Sequence, residues 1–376
     1  MLYAKPLDEI FLGFQNFFEI REIAVILGKK KNLVGLDIGS SSIKMVSLRE
    51  RGKGKGFELL NFGIKPLPRE AIVGGTIMDA SAVIFAIQEL IQESNLKEQN
   101  VATSVDGASV IIQKINMTAM SDAELNEAIR WEAGQYIPFD IEEVRLDHEI
   151  LEQDPTTGNL KVLLVAAKRD LVNEYTSILA QAGLNTFAVD IDSFCVQNAY
   201  EINYPTNASE ITALVNIGAS TTNVCMVKGT VPLFWRDLQW GGDNFTEGIQ
   251  RELTLNFEQA EAAKEGKEDS GIKMEQVIPI INQMNQEFGI ELKKTLDFFK
   301  LTTNEGAVQK IVLSGGGSKV PNLDRFLAQQ FGVSVEVMNP FQNIDVSESN
   351  FSVDTVNALA PMFAVSVGLA LRKVGE

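Results

Sequence analysis

The apolar positions of this chain fall into short unbroken runs and longer stretches with a three-to-four-residue rhythm, the alternation expected of buried strands and amphipathic helices. Leu33-Val-Gly-Leu-Asp-Ile reads as a buried strand and Ile43-Lys-Met-Val-Ser-Leu as the next. Phe57–Pro66 reads as a third, after a Gly/Lys turn at 52–56. Residues 81–94 place Ile84, Ile87, Leu90 and Ile91 on one helical face. Residues 109–117 predict a strand, and Ser121-Asp-Ala-Glu124 matches a capping box that opens a helix through about Gln135, stopped by Pro138. A strand over 161–167 and a helix over 170–182, with Gly183 as its cap, complete a stretch that reads as a small α+β unit of its own, 101–184. A buried strand at Phe187-Ala-Val-Asp-Ile-Asp then leads into a helix through Tyr200. Strand, turn and strand occupy 211–227, long polar helices 246–308, and a buried strand at 310–313 ends in a glycine run.

Two segments stand apart. Residues 1–32 carry Ile10, Phe11, Phe14, Phe17, Phe18, Ile20 and Val25 in a partly helical pattern that ends at Gly28-Lys29-Lys30-Lys31. Packing on its own protein and docking on a partner or interface both stay open for it. The uncharged run 355–371 is short for a membrane span and contains Pro361 and Asn357, so it reads as a buried C-terminal helix.

A repeat organises these elements. Residues 34–46 read VGLDIGSSSIKMV and residues 213–226 read ALVNIGASTTNVCM. Aligning Gly39 with Gly218 pairs Asp37 with Asn216, Ser41 with Ser220 and Ser42 with Thr221, about half a chain length apart. A duplicated α/β lobe with a cleft between the copies explains the match. Each copy is a strand, a tight turn and a return strand. Gly39 and Gly218 let the turn backbone approach a ligand, while the backbone N–H groups and the hydroxyls of Ser40, Ser41, Ser42, Ser220, Thr221 and Thr222, with Ala219 between them, offer donors to phosphate oxygens. Lys44 adds a positive charge, and Asp37 at its strand end is placed to face a cation through water. A third cluster, Gly315-Gly316-Gly317, leaves a buried strand ahead of a helix near Pro321, a turn against which a flat adenine can lie. No Walker A loop occurs, and contiguous glycines are not the dinucleotide fingerprint.

Composition narrows the chemistry. Over 376 residues the apolar content of 45% and charged content of 22% are those of an ordinary globular protein, long enough for two lobes. A net charge of −17 argues against non-specific nucleic-acid binding. With His148 as its single histidine, expected at the surface, the chain has no basis for a histidine-rich metal site. Cys195 and Cys225 sit in apolar contexts and are expected as buried free thiols in a reducing cytosol. No signal-peptide pattern opens the sequence, which reads as cytoplasmic.

The order DIGSSSIK, VDIDSF, NIGASTT and SGGGSKVPNL is similar to the phosphate, connecting, phosphate and adenosine motifs of the actin and sugar-kinase superfamily. Within it, residues 33–376 most resemble the PilM family, the actin-like, FtsA-related components of type IV pilus assembly. NLVGLDIGSSSIKMV, RWEAGQYIPFDIEEV, AAKRDLV, GGDNFTEGI and ALAPMFAVSVGLALR carry the likeness.

The resemblance implies an α/β, actin-like (ribonuclease H-like) two-lobed ATPase fold with a small inserted α+β domain in the first lobe. On that division 1–32 is an extension, 33–100 with 185–205 and 355–376 the first lobe, 101–184 the insertion, and 206–354 the second lobe with a helical part at 246–308. It implies ATP and Mg²⁺ as ligands, with Gly241 and Gly242 beside the phosphates, and Glu261 and Lys264 at the ribose and adenine edge, where a solvated helix face is the alternative. Asp37, Asp190 and Asn216 are the expected contacts to the cation, through water, with Asp192 beside Asp190 on the connecting segment.

It implies an adaptor at the inner face of the bacterial inner membrane that grips the cytoplasmic N-terminal segment of PilN between the nucleotide lobe and the insertion, and through it meets PilO and the pilus motor and platform proteins. A helix face with Trp131 and Tyr136 is offered for that groove, ordinary core being the alternative. One departure matters. The family's second phosphate motif begins with Asp, and here Asn216 stands in its place; Asn neither acts as a base nor adds charge beside Mg²⁺, so slow or absent hydrolysis is expected. A small-molecule kinase of the same superfamily and an FtsA-like division filament are the competing functions. The first needs a carboxylate base in the cleft. The second usually carries a basic amphipathic helix after the lobes, which is not seen before Glu376.

Overall fold

Leu33 and the five residues after it are buried, as an apolar run in the middle of a sheet must be. The computed structural model describes residues 33–52, 56–267, 271–347 and 351–373; the aromatic-rich 1–32 lies outside the described residues. β1 (Val34–Ile38), β2 (Ser42–Glu50) and β3 (Phe57–Pro66) form an antiparallel meander. A small hairpin follows, β4 (Ile72–Val73) with β5 (Thr76–Ile77), then helix α1 (Ala80–Glu93), capped by Asp79. β6 (Asn100–Val105) returns parallel to β1.

The chain then leaves this sheet. β7 (Val110–Met117), helix α2 (Asp122–Tyr136), β8 (Val144–Gln153) and β9 (Leu160–Lys168) make a three-stranded antiparallel sheet in the order β7-β9-β8. The capping box forms as expected, with the Ser121 N–H donating to Glu124 Oε2 at 2.9 Å. α2 buries Leu125, Ile129 and Ala133 on the face of the sheet that carries Val162, Leu164 and Ala166. The opposite face, through Leu163, Val165 and Ala167, joins the core of the first lobe. Trp131 is 81% exposed and Tyr136 44%, so the core reading of that helix face does not hold.

Helix α3 (Arg169–Gln181) and β10 (Asn185–Ile191) bring the chain back, β10 parallel to β6, and helix α4 (Asp192–Asn203) crosses toward the second lobe. The separately sheeted unit is therefore narrower than 101–184. β6 pairs with β1, and α3 packs on the first lobe through Val172, Tyr175, Ile178 and Leu179.

The second lobe repeats the first. β11 (Ile211–Ile217), β12 (Thr222–Lys228) and β13 (Val231–Leu238) form the meander. Helices α5 (Gly242–Leu253), α6 (Phe257–Lys264) and the long α7 (Met274–Thr302) cover it, burying Phe245, Phe288 and Phe299 with Trp240. β14 (Lys310–Ser314) lies parallel to β11. After helix α8 (Leu323–Phe331), β15 (Ser334–Val337) lies parallel to β14. The orders β3-β2-β1-β6-β10 and β13-β12-β11-β14-β15 coincide strand for strand, which is the duplication seen in the motifs.

The end of the chain belongs to the first lobe from earlier than residue 355, because β16 (Ile344–Asp345) pairs with β3. The apolar run 355–371 is not one helix. Helix α9 (Val353–Leu359) breaks at Pro361 into a 3₁₀ turn, and helix α10 (Ala364–Ala370) is wholly buried. The whole stretch Val353–Ala370 reaches the hydropathy of a membrane span, but 56% of it is buried inside the fold. Both cysteines are free and buried.

Candidate functional site

The two hairpin turns meet at the mouth between the lobes. The Gly39 N–H donates to the Ser42 carbonyl at 3.2 Å, and the Gly218 N–H to the Thr221 carbonyl at 2.8 Å, so both copies close the same turn. In the second copy, the N–H groups of Gly242 and Asp243 at the start of α5 donate to the carbonyls of Gly218 and Ala219, each at 2.8 Å. A trans peptide points its C=O and the following N–H in opposite directions. Holding those carbonyls against α5 therefore turns the N–H groups of Ala219 and Ser220 toward the cleft, preset for an anion. Ser220 Oγ donates to Ser40 Oγ at 3.1 Å across the lobes. The third glycine cluster closes the far wall: Gly315 has a φ of 80°, and its N–H donates to the Pro361 carbonyl at 2.7 Å.

Charge is distributed unequally. Asp37 holds Lys44 at 3.1 Å, a nearly buried ion pair that a cation or phosphate can divide. Asn216 has no such freedom. Ser314 Oγ donates to its Oδ1 at 3.1 Å, and its Nδ2 donates to Asn223 Oδ1 at 3.1 Å. Asn223 Nδ2 in turn donates to Asp237 Oδ1 at 2.9 Å and Asp106 Oδ2 at 3.3 Å. The acceptors fix which way each amide points, so a directed chain runs from β14 through both asparagines to two carboxylates.

Burial, then the charge of Asp237, pushes the Asp106 carboxyl up to about 6. Burial and the charges of Asp106 and Asp37 push Asp192 well above the usual carboxylate range, and burial raises Asp237. Among the described residues no three Asp, Glu, His or Cys side chains are grouped to hold a metal ion directly. Asp37 and Asp192, which both line the cleft, fit Mg²⁺ carried mainly by water and phosphate, the way this ion prefers to bind.

Of the residues expected from the sequence, Asp37, Gly39, Ser40, Ser41, Lys44, Asn216, Gly218, Ala219, Ser220, Thr221 and Gly315 line one cleft. The others stand behind it or apart. Ser42 and Thr222 turn inward, Thr222 Oγ1 donating to the Trp240 carbonyl at 2.7 Å. Gly241 and Gly242 back the second hairpin. Glu261 and Lys264 pair at 2.7 Å, and Lys264 also donates to Thr246 Oγ1 and the Gly242 carbonyl, a cluster one layer out from the hairpin. Gly316 and Gly317 form the 3₁₀ turn Gly316–Lys319 outside the lining. Asp190 is the clearest displacement: it points away from the cleft into a buried ion pair with Arg372, while Asp192, two residues on at the start of α4, faces the cleft.

Sequence reasoning missed Asp106, Asn223, Asp237 and Tyr175. Asp106 ends an apolar strand ahead of a glycine, as Asp37 does one residue earlier in its own motif, and that was the available signal. Asp106 and Asn223 also form one wall of a second cavity, of about 220 Å³. Consecutive residues, Val110 to Gln113 of β7 and Trp235 to Asp237 of β13, line two further sides, with Ile191 and Ser193 completing the lining. Consecutive rather than alternating lining means that both strands face it edge-on. Among the described residues each is an edge of its sheet, β7 paired only with β9 and β13 only with β12.

Comparison with known proteins bears on the family and the fold. The family model described as type IV pilus assembly protein PilM matches residues 35–374. The solved PilM–PilN type IV pilus biogenesis complex contains a chain similar to this one, with a TM-score of 0.79 and 29% identity over 91% of this chain and 98% of that one. The ethanolamine utilization protein EutJ from Carboxydothermus hydrogenoformans shares the fold at 15% identity, with a TM-score of 0.52 over 93% and 92% of the two chains. The cell division protein FtsA of Streptococcus pneumoniae serotype 2 (strain D39 / NCTC 7466) is 21% identical over 356 residues, 82% of this chain and 75% of that protein. The fold is the actin-like, ribonuclease H-like two-lobed ATPase fold with a small α+β insertion in the first lobe.

Proposed function

The chain belongs to the PilM family of type IV pilus assembly proteins, and we propose that it is an ATP-holding adaptor that binds the cytoplasmic N-terminal segment of PilN. The observation that carries this reading is the inequality of the two hairpins. Both offer backbone and hydroxyl donors to phosphates, but only the first has a carboxylate, Asp37, at the cleft end of its strand. Asn216 is committed at both ends of its amide to Ser314 and Asn223, so it neither takes a proton from water nor draws Mg²⁺ inward. Hydrolysis requires a positioned, activated water and charge neutralisation, and the second hairpin supplies neither.

In this reading Gly39-Ser40-Ser41 and Gly218-Ala219-Ser220-Thr221 would hold the phosphates, with Lys44 as their counter-charge, and Asp37 with Asp192 would hold Mg²⁺ through water. Bound Mg²⁺ would neutralise phosphate charge. The adenine rests against Gly315, and Glu261 with Lys264 supports the ribose side from the next layer.

The partner segment is assigned to the gap between the edge strands β7 and β13, where an extended chain can add its backbone hydrogen bonds to either sheet. Trp235 supports this, since its indole N–H is buried beside the gap with no acceptor among the described residues. Through PilN the protein is held at the cytoplasmic face of the inner membrane and communicates with PilO and the motor and platform proteins.

The test is a pull-down with the PilN N-terminal peptide, with and without ATP, using the full chain and a form lacking residues 1–32. Capture by both forms supports the adaptor reading. Failure of both forms in both conditions defeats it.

A further inference from the structure

The nucleotide cleft and the second cavity share one wall, and that wall is a hydrogen-bonded partition rather than packed apolar core. Asp106 stands at its centre, at the end of β6 in the first lobe, and accepts from Asn223 Nδ2 at 3.3 Å and Thr221 Oγ1 at 3.4 Å, both in the second lobe. The next residue continues the link: the Gly107 N–H donates to Asp237 Oδ2 at 3.1 Å, and Asp237 Oδ1 accepts from the same Asn223 amide. Three residues after Gly107, β7 begins. The loop that carries β7 is thereby tied to β13, the strand that forms the opposite wall of the second cavity.

Thr221 sits at a branch point. A hydroxyl has one proton to donate. Here it goes to Asp106; with phosphate in the cleft, the more highly charged oxygens are the stronger acceptor. Asp106 then loses a donor and faces an anion across the cleft. Its remaining bond is shared, since Asn223 Nδ2 also serves Asp237 at the shorter distance of 2.9 Å.

We propose that the Asp106–Asn223–Asp237 partition is the element by which phosphate in the nucleotide cleft loosens the tie between β7 and β13 and so regulates access to the second cavity. The inference rests on the nucleotide reading of the cleft and adds a mechanical consequence to it. The two lobes act as one switch because Thr221, a phosphate-hairpin residue, and Asp237, a cavity residue, are linked through Asp106 and Asn223. A coupling of this kind typically changes an equilibrium on the order of tenfold.

The experiment is hydrogen exchange of the full-length protein, read on peptides covering 110–117 and 231–238, with and without the non-hydrolysable analogue ADPNP and Mg²⁺. Nucleotide occupancy is measured separately by calorimetry. In the wild type, ADPNP is expected to speed exchange of these edge-strand amides on the order of tenfold. Asp237→Asn, outside the nucleotide cleft, keeps only one of the two oxygens that receive Gly107 and Asn223. It is expected to show exchange that is already fast and unresponsive, and, because coupling is reciprocal, to bind ADPNP up to about tenfold more tightly than the wild type. Asp106→Asn keeps an acceptor for Thr221 but removes the charge. It is expected to bind ADPNP more tightly and to lose most of the response. Wild-type protein that binds ADPNP without any change in 110–117 and 231–238 overturns the inference, as do variants that respond like the wild type. Absence of ADPNP binding to the wild type in the calorimeter overturns the nucleotide reading, and the inference with it.

Discussion

The β1–β2 and β11–β12 hairpins share a strand register, a turn and a place at the cleft, yet they are held in opposite ways. The first is organised by charge: Lys44 reaches across its own hairpin to Asp37, and that pair can be redistributed when a ligand arrives. The second is organised by fixed neutral amides and by backbone: Asn216 is locked between Ser314 and Asn223, and α5 grips the carbonyls of Gly218 and Ala219 from behind. Duplication has left one half whose ion pair can be redistributed and one that keeps a preset shape, and the proposed nucleotide-holding role rests on that difference.

The largest effect expected from this difference is at two glycines, Gly241 behind the second turn and Gly39 within the first. A Cβ at Gly241 would press into the carbonyl of Ala219, where α5 already grips the hairpin. Gly241→Ala is expected to destabilise the protein by about 3 kcal/mol, measured by urea unfolding. At Gly39 a Cβ would meet the flexible tip of Lys44 at 3.1 Å and the Ser42 carbonyl at 3.2 Å. Gly39→Ala is expected to lower stability by about 1 kcal/mol or less. Equal losses at the two positions would erase the distinction between a rigid and an adaptable hairpin.

Next in size is the amide chain. Asn216→Asp puts a second acceptor against Asn223 Oδ1 in a buried site. It should lower stability by about 2 kcal/mol without raising phosphate release, followed by unfolding and by a coupled phosphate assay. A faster phosphate release would show that the missing carboxylate alone had been limiting turnover.

Asp37→Asn addresses the other half. It is expected to weaken Mg²⁺-dependent ATP binding by about 10- to 100-fold, and to leave binding in the presence of a chelator nearly unchanged, both read by calorimetry.

The smallest effect is a shift with pH. Burial pushes Asp106 and Asp243 up to about 6, and Glu149 and Glu201 up to about 7. Each holds its proton more tightly folded than unfolded. Their contribution to stability is therefore present at low pH and is lost as pH rises from about 4 through these values. The midpoint of thermal unfolding should be higher at pH 5 than at pH 8, and Asp106→Asn should flatten the difference.

What could be read from the sequence follows from how local each feature is. The hairpins lie within a dozen residues each, so Gly39, Ser40, Ser41, Gly218, Ser220 and Thr221 could be placed together from the repeat alone. The capping box at Ser121 is equally local. The partition was not legible, because Asn223 and Asp237 face each other across β12 and β13 while Asp106 reaches them from the other lobe, 117 residues away in sequence. The membership of β6 in the first sheet depends on parallel pairing with β1 across an intervening helix, which no local pattern encodes. Asp190 and Asp192 were indistinguishable in the string VDIDSF. The structure separates them, since the chain passes from strand to helix between them and sends one to Arg372 and the other to the cleft. Trp131 shows the limit of reading burial from residue type, as an aromatic on an amphipathic helix stands almost fully in solvent.

The proposed role requires that the cleft hold ATP without hydrolysing it. The most direct measurement is to incubate the full-length protein with ATP and Mg²⁺ for an hour, separate it from free nucleotide, and identify by chromatography what it carries. Close to one nucleotide per chain is expected, recovered as intact ATP. Recovery of no nucleotide, or of ADP with phosphate released into solution over many turnovers, would contradict that role.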